Sequence, residues 1–129
     1  MDILSSRVLL RPVDAPAVQA FYRDVLNLGI AREFGTGDHT GVVFFLGSGT
    51  LEVSGLREPG PSTLKLWLQV RDVHAEVHRL AELGVRVTRE ARQEFWGLIE
   101  AWIEDPDGTQ IVLVEVPADH PMRRDQRQL

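Results

Sequence analysis

The segment Trp96–Glu115, WGLIEAWIEDPDGTQIVLVE, decides how the chain is read. Ile99, Ala101 and Ile103 alternate with Glu100, Trp102 and Glu104, the two-residue period of a strand with one buried face. Asp105-Pro106-Asp107-Gly108 is turn chemistry: Pro106 presets φ, the aspartates bond nearby backbone, and Gly108 tolerates a positive φ. Ile111–Val114 is apolar and rich in β-branched residues, so the segment predicts a hairpin. A carboxylate and a large indole share the face opposite the buried one, a pairing that suits the lining of a cleft.

Upstream of this hairpin, residues 64–70 alternate Leu64, Leu66, Leu68 and Val70 with Lys65, Trp67 and Gln69. Asp72 is placed to cap a helix carrying Val73, Val77, Leu80 and Leu83 up to Gly84, and residues 85–89 predict a further strand. The same order occurs earlier. Residues 7–13 alternate Val8 and Leu10 against Arg7, Leu9 and Arg11; Asp14 then caps a helix with Pro16 in its first turn. Val18, Phe21, Val25 and Leu28 form its stripe, and Gly29 fits its C-terminal stop. Strands at 30–34, 40–46 and 50–55 follow, joined by turns that include Gly47-Ser48-Gly49, and Arg57–Ser62 breaks the chain. A common offset of 58 residues lays Asp72 on Asp14 and Lys65 on Arg7. The expectation is an α+β fold of two βαβββ modules, about 5–56 and 63–117, with a C-terminal tail 118–129.

Composition narrows the chemistry. The 129 residues, 43% of them hydrophobic, suit one globular domain. The absence of cysteine excludes disulfides, thiolate metal sites, iron–sulfur clusters and cysteine nucleophiles. A net charge of −5 argues against a nucleic-acid partner, although Met122–Arg127 is locally basic and is read as solvated or packed on a partner subunit. MDILSSRV lacks the basic and apolar regions of a secretion signal, and no run is long enough to span a bilayer. The expected location is therefore the cytoplasm, without a membrane partner.

Ala20–Gly29 (AFYRDVLNLG), Leu51-Glu52-Val53, Trp96-Gly97 and Asp105–Thr109 together resemble the vicinal oxygen chelate superfamily, which unites glyoxalases, bleomycin resistance proteins and dioxygenases. The resemblance spans nearly the whole chain and implies that the paired modules form a U-shaped mixed sheet around a cleft, usually in a homodimer. It also implies where a metal would sit: a His in the first strand of each module and a carboxylate in the last. Those positions fall on Arg7, Lys65, Glu52 and Val112. Only Glu52 is a donor suited to a divalent cation, so neither a metal nor another cofactor is expected.

Arg7 and Lys65 are expected to neutralise Glu52 in place of that metal, unless all three are solvated rim residues. Alternation adds Thr50, Trp67, Gln69, Glu100 and Trp102 to the inward set, with Trp96 as a wall of the cleft or a packing contact. Two indoles beside an amide and fixed charges suit a flat organic ligand; the bland alternative is that Trp67 and Trp102 fill core. His74 and His78 stand at i, i+4 but off the apolar stripe and are read as solvated, while His39 could approach the cleft mouth and His120 lies in the tail. The leading expectation is a metal-free protein of the bleomycin resistance type that sequesters a small organic ligand. The alternatives are a lyase, isomerase or dioxygenase with a non-standard divalent metal site, and a small dimeric regulatory protein with a filled cleft.

Overall fold

A computed structural model describes residues 1–123, so the Arg124–Arg127 part of the basic tail lies outside the described residues. By its internal contacts the chain divides into two compact units, Met1–Pro61 and the segment from Ser62 onward. Each contains a four-stranded mixed sheet and a helix, in the order strand, helix, three strands.

In the first unit β1 (Arg7–Leu10) is followed by α1 (Ala15–Ala20), β2 (Ile30–Phe34), β3 (Gly41–Leu46) and β4 (Gly49–Val53). The sheet order is β1-β4-β3-β2, with β1 parallel to β4 and the other pairs antiparallel. Asp14 caps α1 by accepting from the Ala17 amide at 3.1 Å, as its place before Pro16 requires. Leu10, Val42, Phe44, Leu51 and Val53 are buried with Val18, Phe21 and Tyr22 of the helix. Gln19, also buried, ties the helix to the sheet by donating to Thr40 O at 2.7 Å and Val53 O at 3.0 Å.

This helix departs from the expected uniform stripe. Phe21–Val25 is a π-helical turn, closed by the Leu26 amide on Phe21 O at 3.0 Å. The wider turn rotates the apolar face, so Tyr22 becomes fully buried against Phe44 while Val25 is only half-buried. The left-handed stop belongs to Asn27, at φ 56°, rather than to Gly29. β1 is also shorter than expected, because the chain leaves the sheet before Pro12.

The second unit repeats the plan with β5 (Lys65–Gln69), α2 (Val73–Glu82), β6 (Arg86–Gln93), β7 (Ile99–Glu104) and β8 (Gln110–Glu115), in the order β5-β8-β7-β6. Here the pattern is regular: Asp72 accepts from the Ala75 amide, and Val73, Val77 and Leu80 are buried. The helix stops at Gly84, φ 82°, with the Val85 amide on Leu80 O and the Gly84 amide on Ala81 O. β6 runs four residues beyond the expected end at Arg89, accommodated by register shifts on either side of Arg89.

The β7–β8 hairpin is pinned by Asp105. Its carboxylate accepts from the Asp107 amide at 2.8 Å and the Thr109 amide at 2.9 Å, and Gly108 supplies φ 82°. Asp105 is itself buried. Replacing it with Ala strands two backbone donors, so D105A is expected to lower the free energy of unfolding by about 1–3 kcal/mol in urea titrations, with D105N recovering part of the loss.

Candidate functional site

Strand alternation gives the first unit one face toward α1 and one away from it. Arg7 and Leu9 on β1, Thr50 and Glu52 on β4, and Val43 and Phe45 on β3 share the second face. In the parallel register Leu9 lies opposite Glu52. The chain positions two residues either side, Arg7 and Arg11, therefore flank that carboxylate.

Both guanidiniums reach it. Arg7 Nη1 lies 3.0 Å from Glu52 Oε1, and Arg11 Nη1 lies 3.1 Å from Oε2. The Ser54 hydroxyl donates to Oε2 at 2.7 Å, and Arg11 also bonds the Ser54 hydroxyl and, at 3.4 Å, its carbonyl. Gly55, at φ 73°, makes this possible, since a Cβ there would stand 2.8 Å from Arg11 Cδ. The Ser54 hydrogen bond, then those from Arg11 and Arg7, hold the Glu52 carboxyl below its ordinary value against the burial that opposes ionisation.

Of the residues expected here, Arg7 and Glu52 are in contact, and Thr50 lies on the same face, its hydroxyl 3.4 Å from Ser6 O. Lys65 belongs to the second unit, where it is exposed. The second clamp on Glu52 is Arg11, which alternation places with Arg7 but which had no assigned role. Glu52 and Arg11 also line a cavity of about 860 Å³ confined to the first unit, together with Ser54 and His39.

The second unit has a different face. Trp67 on β5 lies opposite Val112 on β8, Val112 opposite Trp102 on β7, and Trp102 opposite Arg89 on β6. Two strand spacings thus separate the backbones of the two tryptophans, roughly 10 Å, with only a valine between them. Gln69, Val114 and Glu100 form the adjacent row, and Lys65, Gln110 and Glu104 the row on the other side. Trp67 is 49% exposed.

Trp102 is held from one side by Arg89, whose guanidinium carbon is 4.3 Å from the ring centroid. Arg89 also pairs with Glu94 and donates to Glu100 O at 3.0 Å, leaving Nε buried without an acceptor. Burial opposes ionisation of Glu94, but the hydrogen bonds and charges of Arg89 and Arg92 outweigh it and its pKa is lowered. Glu100 is buried and accepts from Trp96 Nε1 at 2.8 Å. Trp96 is fixed in turn by His120, which contacts Trp96 O at 2.8 Å and covers Gly97. His74 is exposed, and His78 is an exposed partner of Glu82.

A model of the Glyoxalase/Bleomycin resistance protein/Dioxygenase superfamily matches residues 5–113. The chain belongs to this superfamily. The structure called SMU.1112c is 25% identical, with a TM-score of 0.76 over 89% of this chain and 99% of that one. TioX from Micromonospora sp. ML1 is 16% identical, with a TM-score of 0.76 over 88% of this chain and 98% of its own. Lactoylglutathione lyase from Agrobacterium tumefaciens is 20% identical, with a TM-score of 0.70 over 89% and 94%. No curated protein sequence matches. These likenesses establish the fold, and they leave the chemistry to the side chains.

The donor set does not fit the divalent metal that the superfamily implies. Of the four matching positions, Arg7 and Lys65 are cationic and Val112 has no donor. Both Glu52 oxygens already accept from Arg7, Arg11 or Ser54. Among the described residues no three His, Asp or Glu side chains are grouped to hold a metal ion.

The lowered pKa of Glu52 sets a sign for its pH dependence. A carboxylate stabilised in the fold contributes above its unfolded pKa and loses that contribution as pH falls through the folded value. E52Q is expected to be less stable than wild type by roughly 1–2 kcal/mol at pH 7, since it leaves two guanidiniums without their anion. The gap should close as pH falls below about 4.5, measured by urea unfolding at a series of pH values.

Proposed function

We propose that the protein is a metal-free member of the superfamily that holds a small organic molecule on the aromatic face of its second unit, withholding it from solution without turning it over. The observation that carries this reading is the state of Glu52. Its acceptor positions are taken by two guanidiniums and a hydroxyl, so this carboxylate is organised as the centre of an ion cluster rather than as a metal ligand. The aromatic face supplies what binding without a metal needs. Trp67 and Trp102 flank Val112, and Lys65 and Gln69 stand in the flanking rows as polar contacts, while Glu100 holds Trp96 in place. Arg89 presets Trp102, which lowers the ordering cost of stacking on it.

Elemental analysis of untagged protein is expected to find well under one equivalent of metal per chain. Titration with zinc, nickel, manganese and iron should show no saturable tight site. One tightly held metal per chain would overturn the reading and favour a lyase, isomerase or dioxygenase with a non-standard ligand set. A library of flat heteroaromatic compounds, screened by tryptophan quenching, should yield ligands whose affinity drops about tenfold or more in W67A, with little change in thermal stability because that indole is half exposed.

A further inference from the structure

The cavity of about 860 Å³ in the first unit has no part in the stacking described above. Val13, Ala15, Pro16, Phe34 and Leu56 give it apolar walls, and Arg11 and Glu52 are among its polar lining. Its volume falls within the range of small-molecule pockets.

Arg11 is used on one side only. Its hydrogen bonds to Glu52, to the Ser54 hydroxyl and to the Ser54 carbonyl all leave from Nη1. Nε and Nη2 make none among the described residues, and the side chain is 45% exposed. Those two N–H groups form the fork whose spacing matches the two oxygens of a carboxylate.

The two carboxylates of the lining are already partly engaged. Glu52 has both oxygens engaged, and Asp14 has one committed to the Ala17 amide. Of the charged lining residues, Arg11 is the cation and Glu52 and Asp14 are the anions; Arg7, outside the lining, takes Glu52 Oε1, so that with its help the two carboxylates are matched by two guanidiniums. The N–H groups left over are those of Arg11 Nε and Nη2.

We propose that this cavity binds a small carboxylate with an apolar body, the acid group taken bidentately by Arg11 Nε and Nη2 and the body packed against Phe34, Pro16 and Leu56. The assignment rests on the metal-free reading of Glu52, because a metal there would compete with Arg11 Nη1 for Oε2.

The test uses full-length protein in EDTA, titrated calorimetrically with 4-phenylbutyrate and with its neutral amide, 4-phenylbutyramide. The acid should bind roughly tenfold more tightly than the amide, the discrimination expected of charge-assisted hydrogen bonds at a partly exposed site, and should shift the Arg11 Nε–H resonance. R11Q should erase the preference, and R11K, which keeps the charge without the fork, should restore only part of it. Thermal melts report whether either variant folds; if R11Q does not, R11K and the wild-type resonance decide. Equal binding of acid and amide, binding of neither, or a preference that survives in folded R11Q overturns the proposal. A parallel sample is titrated with zinc without EDTA. Stoichiometric zinc uptake overturns the metal-free reading together with this one, whereas no uptake and no acid preference overturns the carboxylate site alone.

Discussion

Each unit closes its sheet by pairing its first strand with its last, in parallel, and this constraint organises everything else. Parallel neighbours cannot be joined by a tight turn, so the chain must cross over, and the helix that makes the crossing covers one sheet face. The other face is left to the side chains of alternate positions. In the first unit the parallel register sets Leu9 against Glu52, and Arg7 and Arg11 then flank a carboxylate some forty residues away in the sequence. In the second unit the same pairing sets Trp67 against Val112, and the antiparallel β7–β8 pair adds Trp102 on Val112's other side. One topological rule thus builds an ion cluster in one unit and an aromatic step in the other.

Much of the fold was legible because its signals are local. The Asp14 and Asp72 caps, the Gly84 stop and the Asp105–Gly108 turn each depend on residues within a few positions, and each forms as its chemistry requires. What escaped the sequence is where a helix changes its period. A stripe counted at 3.6 residues per turn runs through Val18, Phe21, Val25 and Leu28, yet the π turn at Phe21–Val25 brings Tyr22 into the core instead. Nothing in FYRDV announces that turn, because its stabilisation comes from packing against Phe44 rather than from local preference. The length of β6 is similar, since bulges on both sides of Arg89 let a polar segment continue in the sheet.

For the candidate site, the sequence identified residue types and faces better than partners. Arg7 and Glu52 meet as expected, but the second cation on Glu52 is Arg11, and Ser54 contributes the largest single effect on its ionisation. Both could have been found from alternation alone, since each stands at an even spacing from a residue already assigned. Arg89 could not. Its role on Trp102 depends on a pairing across two bulges, which no period in the sequence encodes. Trp96 was placed near the ligand face, and its bond to Glu100 explains how a buried carboxylate is satisfied without a cation.

The two faces also differ in how each treats the position where the superfamily implies a carboxylate ligand. A buried carboxylate without a cation or donor beside it would carry a desolvation cost with nothing to offset it. Glu52 avoids that state through three donors from two strand ends, and Gly55 provides the space that lets Arg11 lie across the chain to reach it. At the corresponding place in the second unit the carboxylate position is Val112, so no anion is present to be compensated, and the surrounding face is free to be aromatic. An acid in one unit calls for a cationic neighbourhood, while a valine in the other permits an apolar one. The asymmetry between the two units follows from that one difference: an acid at the position is matched by cations, and a valine there needs none.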